Sequence, residues 1–346
     1  MTKGDLPVDV VKPPRLREGD VVGIAAPAHP YYPGMGGFVK LGCDAITHLG
    51  LRVEFGRNAL SQRNQIAIPA QKRADDLNEL FSDPSIKAIF CLSGGANTNA
   101  ILPLLDWDAI TLNPKIIMRF SANSALLLGI YSQTRMVCFH GPHVVLDGLS
   151  EYPEPFEYTL HHLQRLLFHD VAIGTLRPPK LWTTDFPRVD QRRQMKTHEG
   201  WFWLRQGTAE GRLLGGNLAA MRTIAGTRFF PSFESAILFA EEVYMGSSIL
   251  KDIDDSLAHL RLLGVFDQIS GLIFGKINDQ TEEEEEVLAG LILEHTREYS
   301  FPVLIGVDIG HTDPKVTLPL GVRTLLDSYA DVFSLEESAV SRNDTR

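Results

Sequence analysis

Cysteine is scarce. Three thiols, Cys43, Cys91 and Cys138, are spread over 346 residues, each in an apolar setting. Dispersed in this way they build neither a disulfide frame nor a zinc site, and they read as small core residues of a reduced, cytoplasmic protein. Long apolar runs are also missing: no stretch approaches the roughly 18 residues that cross a bilayer. Residues 1–15 hold two aspartates and three prolines and do not read as a signal peptide. Nor is there an excess of positive charge. Lys and Arg number 33 against 43 Asp and Glu, a net charge of −10, which argues against nucleic acid or an anionic membrane surface as a partner. H-E-x-x-H, paired C-x-x-C and the P-loop are absent, so the strong signals for metal and nucleotide are missing and no cofactor is expected.

What is present is an ordinary globular composition, 44% hydrophobic and 22% charged. The length exceeds the roughly 250–300 residues at which a single core stops growing, which points to two domains. In the first half, short apolar runs alternate with amphipathic segments. Val21 to Pro27, Leu51 to Phe55, Lys87 to Leu92 and Lys115 to Phe120 read as strands. Phe38 to Leu49, Ala70 to Phe81, Leu102 to Leu105 and Tyr158 to Phe168 read as helices. This rhythm predicts an α/β fold with a mostly parallel sheet, whose ligands sit beyond the carboxyl ends of the strands. Pro27, Gly94-Gly95 and Ser121 all fall at such ends.

From 151 to 205 the character changes. Five prolines mix with Trp182, Trp201, Trp203 and the basic run Arg188 to Arg193, as in a long crossing between domains. Beyond it, Ala236 to Ala240, Gly271 to Gly275 and Phe301 to Val307 are compact strands. Asp252 to Leu263 is a helix with acids at its positive end. Thr281 opens another, and the acids at 282–286 read as its solvated first turn. The expected divisions are 1–165 for an α/β domain, 166–209 for the crossing, and 210–346 for a smaller β-rich domain.

The stretch 114–126 concentrates the chemical question. A buried strand runs into Ser121 and small residues follow into a helix, the layout of a nucleophile elbow without its usual G-x-S-x-G. Ser121 is either such a nucleophile or a helix cap. Glu241 and His311 also stand at element ends. A serine hydroxyl needs a base to take its proton, and a carboxylate steadies the base, so these three residues together admit acyl transfer. Backbone N–H groups near Gly94, Gly95 and Ala122 are candidates for an oxyanion hole. His140 and His143 have a spacing a metal could use, but their Gly-Pro turn makes them structural loop histidines.

Asp106-Trp107-Asp108 before Pro114-Lys115, the Ser121 turn, E-G-R-L-L-G-G-N-L from Glu210, Ile237 to Glu241, and Gly310-His311-Thr312 through Gly321 resemble the serine LD-carboxypeptidase family. The likeness spans Val21 to Phe333 and is nearest the microcin-C-resistance (MccF-like) branch. The resemblance implies a flavodoxin-like N-terminal domain, a β-rich C-terminal domain, a site between them, no metal and a homodimer. It makes Ser121 the nucleophile, His311 the base and Glu241 its orienting carboxylate, with Gly94, Gly95 and Ala122 at the oxyanion. It implies a peptide or peptidyl-nucleotide substrate, Trp182 being the candidate to stack on a nucleobase. A murein tetrapeptide carboxypeptidase, a non-hydrolytic immunity protein and an acyl-transfer enzyme are the alternatives on this scaffold. The family's usual Gly-Tyr-Ser-Asp is here Arg119-Phe120-Ser121-Ala122. Arg119 therefore brings a charge that must be paired or meet an anionic part of the substrate.

Overall fold

The computed structural model describes residues 10–28, 31–32, 34–61, 68–146, 148–243 and 249–342. The first half runs β1 (Val21–Ala25), α1 (Gly36–His48), β2 (Arg52–Phe55), α2 (Ala70–Ser82), β3 (Ile86–Cys91), α3 (Trp107–Leu112), β4 (Ile116–Arg119), α4 (Ser124–Thr134), β5 (Cys138–His140) and α5 (Glu157–Phe168). The five strands pair in parallel in the order β5-β4-β3-β1-β2. The apolar runs of β3 and β4 are covered on both faces, as a parallel sheet under helices requires.

Two details depart from the sequence reading. The helix expected at Leu102 to Leu105 is a 3-10 segment, Asn99–Leu104, in which Pro103 removes a backbone donor. Asp106-Trp107-Asp108, just past that segment, begins a helix of its own: Asp106 caps α3 by accepting the N–H of Ala109.

The crossing contributes β6 (Gly174–Thr175), β7 (Leu181–Trp182), β8 (Lys196–Thr197) and β9 (Phe202–Arg205). The chain continues through β10 (Thr208–Asn217), α6 (Leu218–Arg222), β11 (Ala236–Glu241), α7 (Ile249–Leu262), α8 (Val265–Gln268), β12 (Gly271–Gly275), α9 (Glu282–His295), β13 (Val303–Val307), β14 (Leu318–Leu320), β15 (Arg323–Asp327) and β16 (Val332–Leu335). Among the described residues, the second sheet has eight strands in the order β6-β16-β15-β10-β11-β12-β13-β9. Its middle, β10 to β13, is parallel, and antiparallel strands flank it. The acid-rich start of α9 is a full capping box between Thr281 and Glu284, so its carboxylates serve the helix terminus.

Among the described residues, β14 and α4 join the sheets. β14 leaves the second half and pairs antiparallel with β5, closing the edge of the first sheet. α4 is buried from Ser124 to Tyr131 and packs against β5 on one side and β10 on the other. A helix apolar all round must be covered all round, which places α4 between the sheets. Apolar contacts run on through it as one core.

Candidate active site

β4 delivers Ser121 to the seam between the sheets. Its backbone has φ +59°, the left-handed region that a residue with a β-carbon enters at a cost of about 1–2 kcal/mol. Such strain at a strand-to-helix junction lifts the hydroxyl clear of both elements. A short 3-10 turn, Ser121–Asn123, follows before α4 begins. The capping alternative does not describe this serine, because the side chain that meets it belongs to a histidine 190 residues away.

That histidine is His311. Its Nε2 lies 3.1 Å from Ser121 Oγ and its Nδ1 2.9 Å from Oε2 of Glu241. Glu241 ends β11 and is fully buried. Burial alone would raise its carboxyl, but His311 and then His140 outweigh this and hold it below the usual range. An ionised carboxylate at Nδ1 fixes the tautomer whose Nε2 accepts a proton, so the chain of three can pull the proton from Ser121 Oγ. Two glycines make room: a β-carbon on Gly310 would lie 2.9 Å from Glu241 Oε2, and one on Gly275 3.0 Å from its Cβ.

Ser121 and His311 open into a cavity of about 730 Å³, lined among others by Gly94, Gly95, Ala122, His143, Asn217 and Glu242. A β-carbon on Gly94 would stand 3.1 Å from Cε1 of His143 and 3.4 Å from Ser121 Oγ, so the missing side chain leaves a slot beside the hydroxyl. Gly94, Gly95 and Ala122 thus border the place where an oxyanion would form.

Phe120 underlies the site. Its ring stacks on His143 at 4.3 Å, meets His311 at 4.9 Å, and carries Lys315 Nζ 4.3 Å from its centroid. The crossing also reaches in. Arg193, from the basic run, is buried and donates to Glu151 and, at 2.9 Å, to Asp313, two residues beyond His311.

Two expected site residues are elsewhere. Arg119 does not border the cavity. Successive residues of an extended chain face opposite ways, and where Phe120 faces the cavity, Arg119 turns into the layer beneath. Its side chain is 0% exposed beside Cys91 and Cys138, and none of its three nitrogens has a hydrogen-bond partner. Neither a pairing nor a substrate contact is there for it. Trp182 also lies outside the cavity. Its Nε1 donates to Thr197 O, and Lys276 and Lys196 sit 4.1 and 5.3 Å from its ring centroid. Its neighbour Thr183 reaches the site's surroundings, bonding both ways through its backbone with Asp313.

Four residues at or beside the site have no role assigned by the sequence pattern. His143 reads there as a structural loop histidine. Asn217 lies in the quoted G-G-N-L segment; it caps α6 through Ala220 N and donates to Glu242. Glu242 lies one residue past Glu241, and burial, followed by the charge of Glu241, raises its carboxyl. Asn123 gave no signal beyond being a polar residue at the head of an apolar helix. Among the described residues, no three His, Cys, Asp or Glu side chains converge as a metal site, and no helix is long and apolar enough to cross a membrane.

Fold and site together belong to a known class. Residues 22–141 match the LD-carboxypeptidase N-terminal domain and residues 210–326 the LD-carboxypeptidase C-terminal domain, and the chain is a member of this serine peptidase family. Among individual relatives, it is 34% identical to a putative carboxypeptidase of Vibrio cholerae over 77% of this chain and 80% of that one. It is 32% identical to the microcin C7 self-immunity protein MccF of Escherichia coli, over 78% and 80%. The solved structure of MccF in complex with aspartyl sulfamoyl adenosine superposes with a TM-score of 0.86 at 28% identity, covering 96% of this chain and all of that one.

Proposed function

We propose that this protein is a serine hydrolase that cleaves an amide or related acyl bond in a peptidyl- or aminoacyl-nucleotide-like compound. The observation that carries the reading is the continuous line from Ser121 Oγ through His311 to Glu241, opening into the cavity. Similarity to MccF, whose solved complex holds aspartyl sulfamoyl adenosine, supports the substrate class.

Ser121 Oγ attacks the acyl carbon as His311 Nε2 takes its proton, and Glu241 steadies the imidazolium. The carbonyl oxygen, now negative, rests against N–H groups of Ala122 and of Gly94 or Gly95. Collapse breaks the scissile bond, and His311 returns the proton to the leaving amine. Water then attacks the acyl carbon as it gives a proton to His311, and His311 passes that proton to Ser121 Oγ as the ester C–O bond breaks and the acid leaves.

The test is Ser121→Ala with aspartyl sulfamoyl adenosine. Hydrolysis should fall by at least about a thousandfold while binding persists. Undiminished hydrolysis sinks the reading.

A murein peptide LD-carboxypeptidase is the second reading. It is favoured by the position of Trp182, whose ring is engaged by two lysines outside the cavity. Release of terminal D-alanine from a tetrapeptide stem, with no cleavage of the sulfamoyl adenosine, would select it.

A further inference from the structure

Asn123 is fully buried at the head of α4, and its side chain bonds two separate parts of one loop. Nδ2 donates to Ser93 O at 3.0 Å, and Oδ1 accepts from Thr98 Oγ1 at 3.1 Å. A carbonyl can only accept, so the amide has one orientation. Ser93 and Thr98 are the two shoulders of the loop that presents Gly94 and Gly95 to the cavity. Asn123 itself follows Ala122 directly.

One amide therefore spans the two backbone segments that would supply the oxyanion donors. A neighbouring strut runs the same way: His143, whose Cε1 faces Gly94, places Nε2 3.2 Å from Phe120 O. On its far side the loop is held by Arg73, which donates to Asn97 O at 3.0 Å and to Pro27 O.

We propose that Asn123 is a positioning residue that sets the spacing of the oxyanion donors, acting through Ser93 and Thr98 and never touching substrate. The inference rests on the serine-hydrolase reading. Oxyanion donors act through placement: removing one costs about a hundred- to thousandfold in turnover, and displacing a reacting group by about 1 Å can cost a hundredfold. An amide that holds both donor segments should give a loss near the lower of these when truncated. The Ser121–His311–Glu241 line does not pass through Asn123, so proton transfer to His311 should be spared.

The experiment compares the full-length protein with Asn123→Ala and with the near-isosteric Thr98→Val. Three quantities are measured: the rate at which a fluorophosphonate labels Ser121, the pH profile for carbethoxylation of His311 by diethylpyrocarbonate (read at that residue by mass spectrometry), and amide hydrogen exchange in residues 93–98. The phosphoryl oxygen of the probe occupies the oxyanion position, so labelling reports the donors. Asn123→Ala should label about ten- to a hundredfold more slowly and Thr98→Val a few-fold more slowly. Both should exchange faster over 93–98 and keep the His311 profile of the parent.

Labelling within twofold of the parent in both variants overturns the proposal. So does a shifted His311 profile, which would mean a general disturbance of the site. Should the parent itself resist labelling, the hydrolase reading fails instead. Faster exchange in both variants would then keep Asn123 as the clamp of this loop, and unchanged exchange would remove that too.

Discussion

A β-carbon on Gly310 would stand 2.9 Å from Oε2 of Glu241, the same oxygen that holds His311 at 2.9 Å. The glycine leaves the buried carboxylate one position, against the imidazole. Gly310→Ala should push Glu241 off Nδ1 and free the ring to turn. The expected loss in kcat is about ten- to a hundredfold with little change in KM, since a 1 Å displacement suffices for this. Steady-state kinetics on the cleaved substrate decide it, and unchanged kcat would show that Glu241 does not orient His311.

Gly94→Ala probes the other side of the hydroxyl. The new methyl would lie 3.1 Å from His143 Cε1 and 3.4 Å from Ser121 Oγ, filling the slot without entering the core. Turnover should fall about a hundredfold, on the scale of a lost oxyanion donor, while the melting temperature moves by only a few degrees. A variant that keeps its activity would place the oxyanion elsewhere.

Arg119 bears on stability more than on catalysis. Its guanidinium lies in the core with no hydrogen-bond partner, and burial pushes it below its ordinary value. Breaking a buried ion pair is destabilising, but here there is no pair to break, only a desolvated charge. Arg119→Met, of similar shape, should unfold at higher denaturant, with a gain of about 1–4 kcal/mol, and should turn over substrate within a few-fold of the parent. A less stable variant would contradict the picture of an unpaired guanidinium.

Acid sensitivity should follow from His140. Burial holds this fully enclosed imidazole down at about 4, from an ordinary value of 6.5. The unfolded chain therefore binds the proton first, and stability falls as pH drops from about 6.5, the loss being complete below about 4. Its size is on the order of 3 kcal/mol. Glu241 acts in the same direction: held below its ordinary 4.5, it stabilises the fold above that pH and ceases to as pH falls through its lower folded value. His162, also down at about 4, adds a second imidazole. In His140→Gln the decline in denaturation free energy between pH 6.5 and 4.5 should be shallower, and an equal slope would rule His140 out as the cause.

Much of this site could be read from residue order. Ser121 followed a buried strand, Glu241 ended one, and His311 sat in a turn after another, and strand ends are where a parallel sheet gathers ligands. What the order of residues conceals is direction. Arg119 and Phe120 are neighbours, yet one faces the core and the other the cavity, and only the pleat and its neighbours settle which. Trp182 was placed by resemblance, whereas its two lysines come from Lys196 across the hairpin and Lys276 beyond β12. Asn123 could not be seen at all, because its partners lie 25 and 30 residues upstream and bond through a hydroxyl and a backbone oxygen.

β13 ends in the second sheet and β14 is the edge strand of the first, so His311 rides on a span anchored on both banks. Ser121 belongs to one bank and Glu241 to the other. Any slip of one sheet against the other is therefore felt at once in the reach from imidazole to hydroxyl, and the reaction gauges how well the two halves of the molecule are seated. A chain severed in the crossing would leave the front half with β5 bare along one edge and the back half with an undocked loop, between β13 and β15, carrying the histidine. Chemistry should return when that loop is laid back into the front sheet.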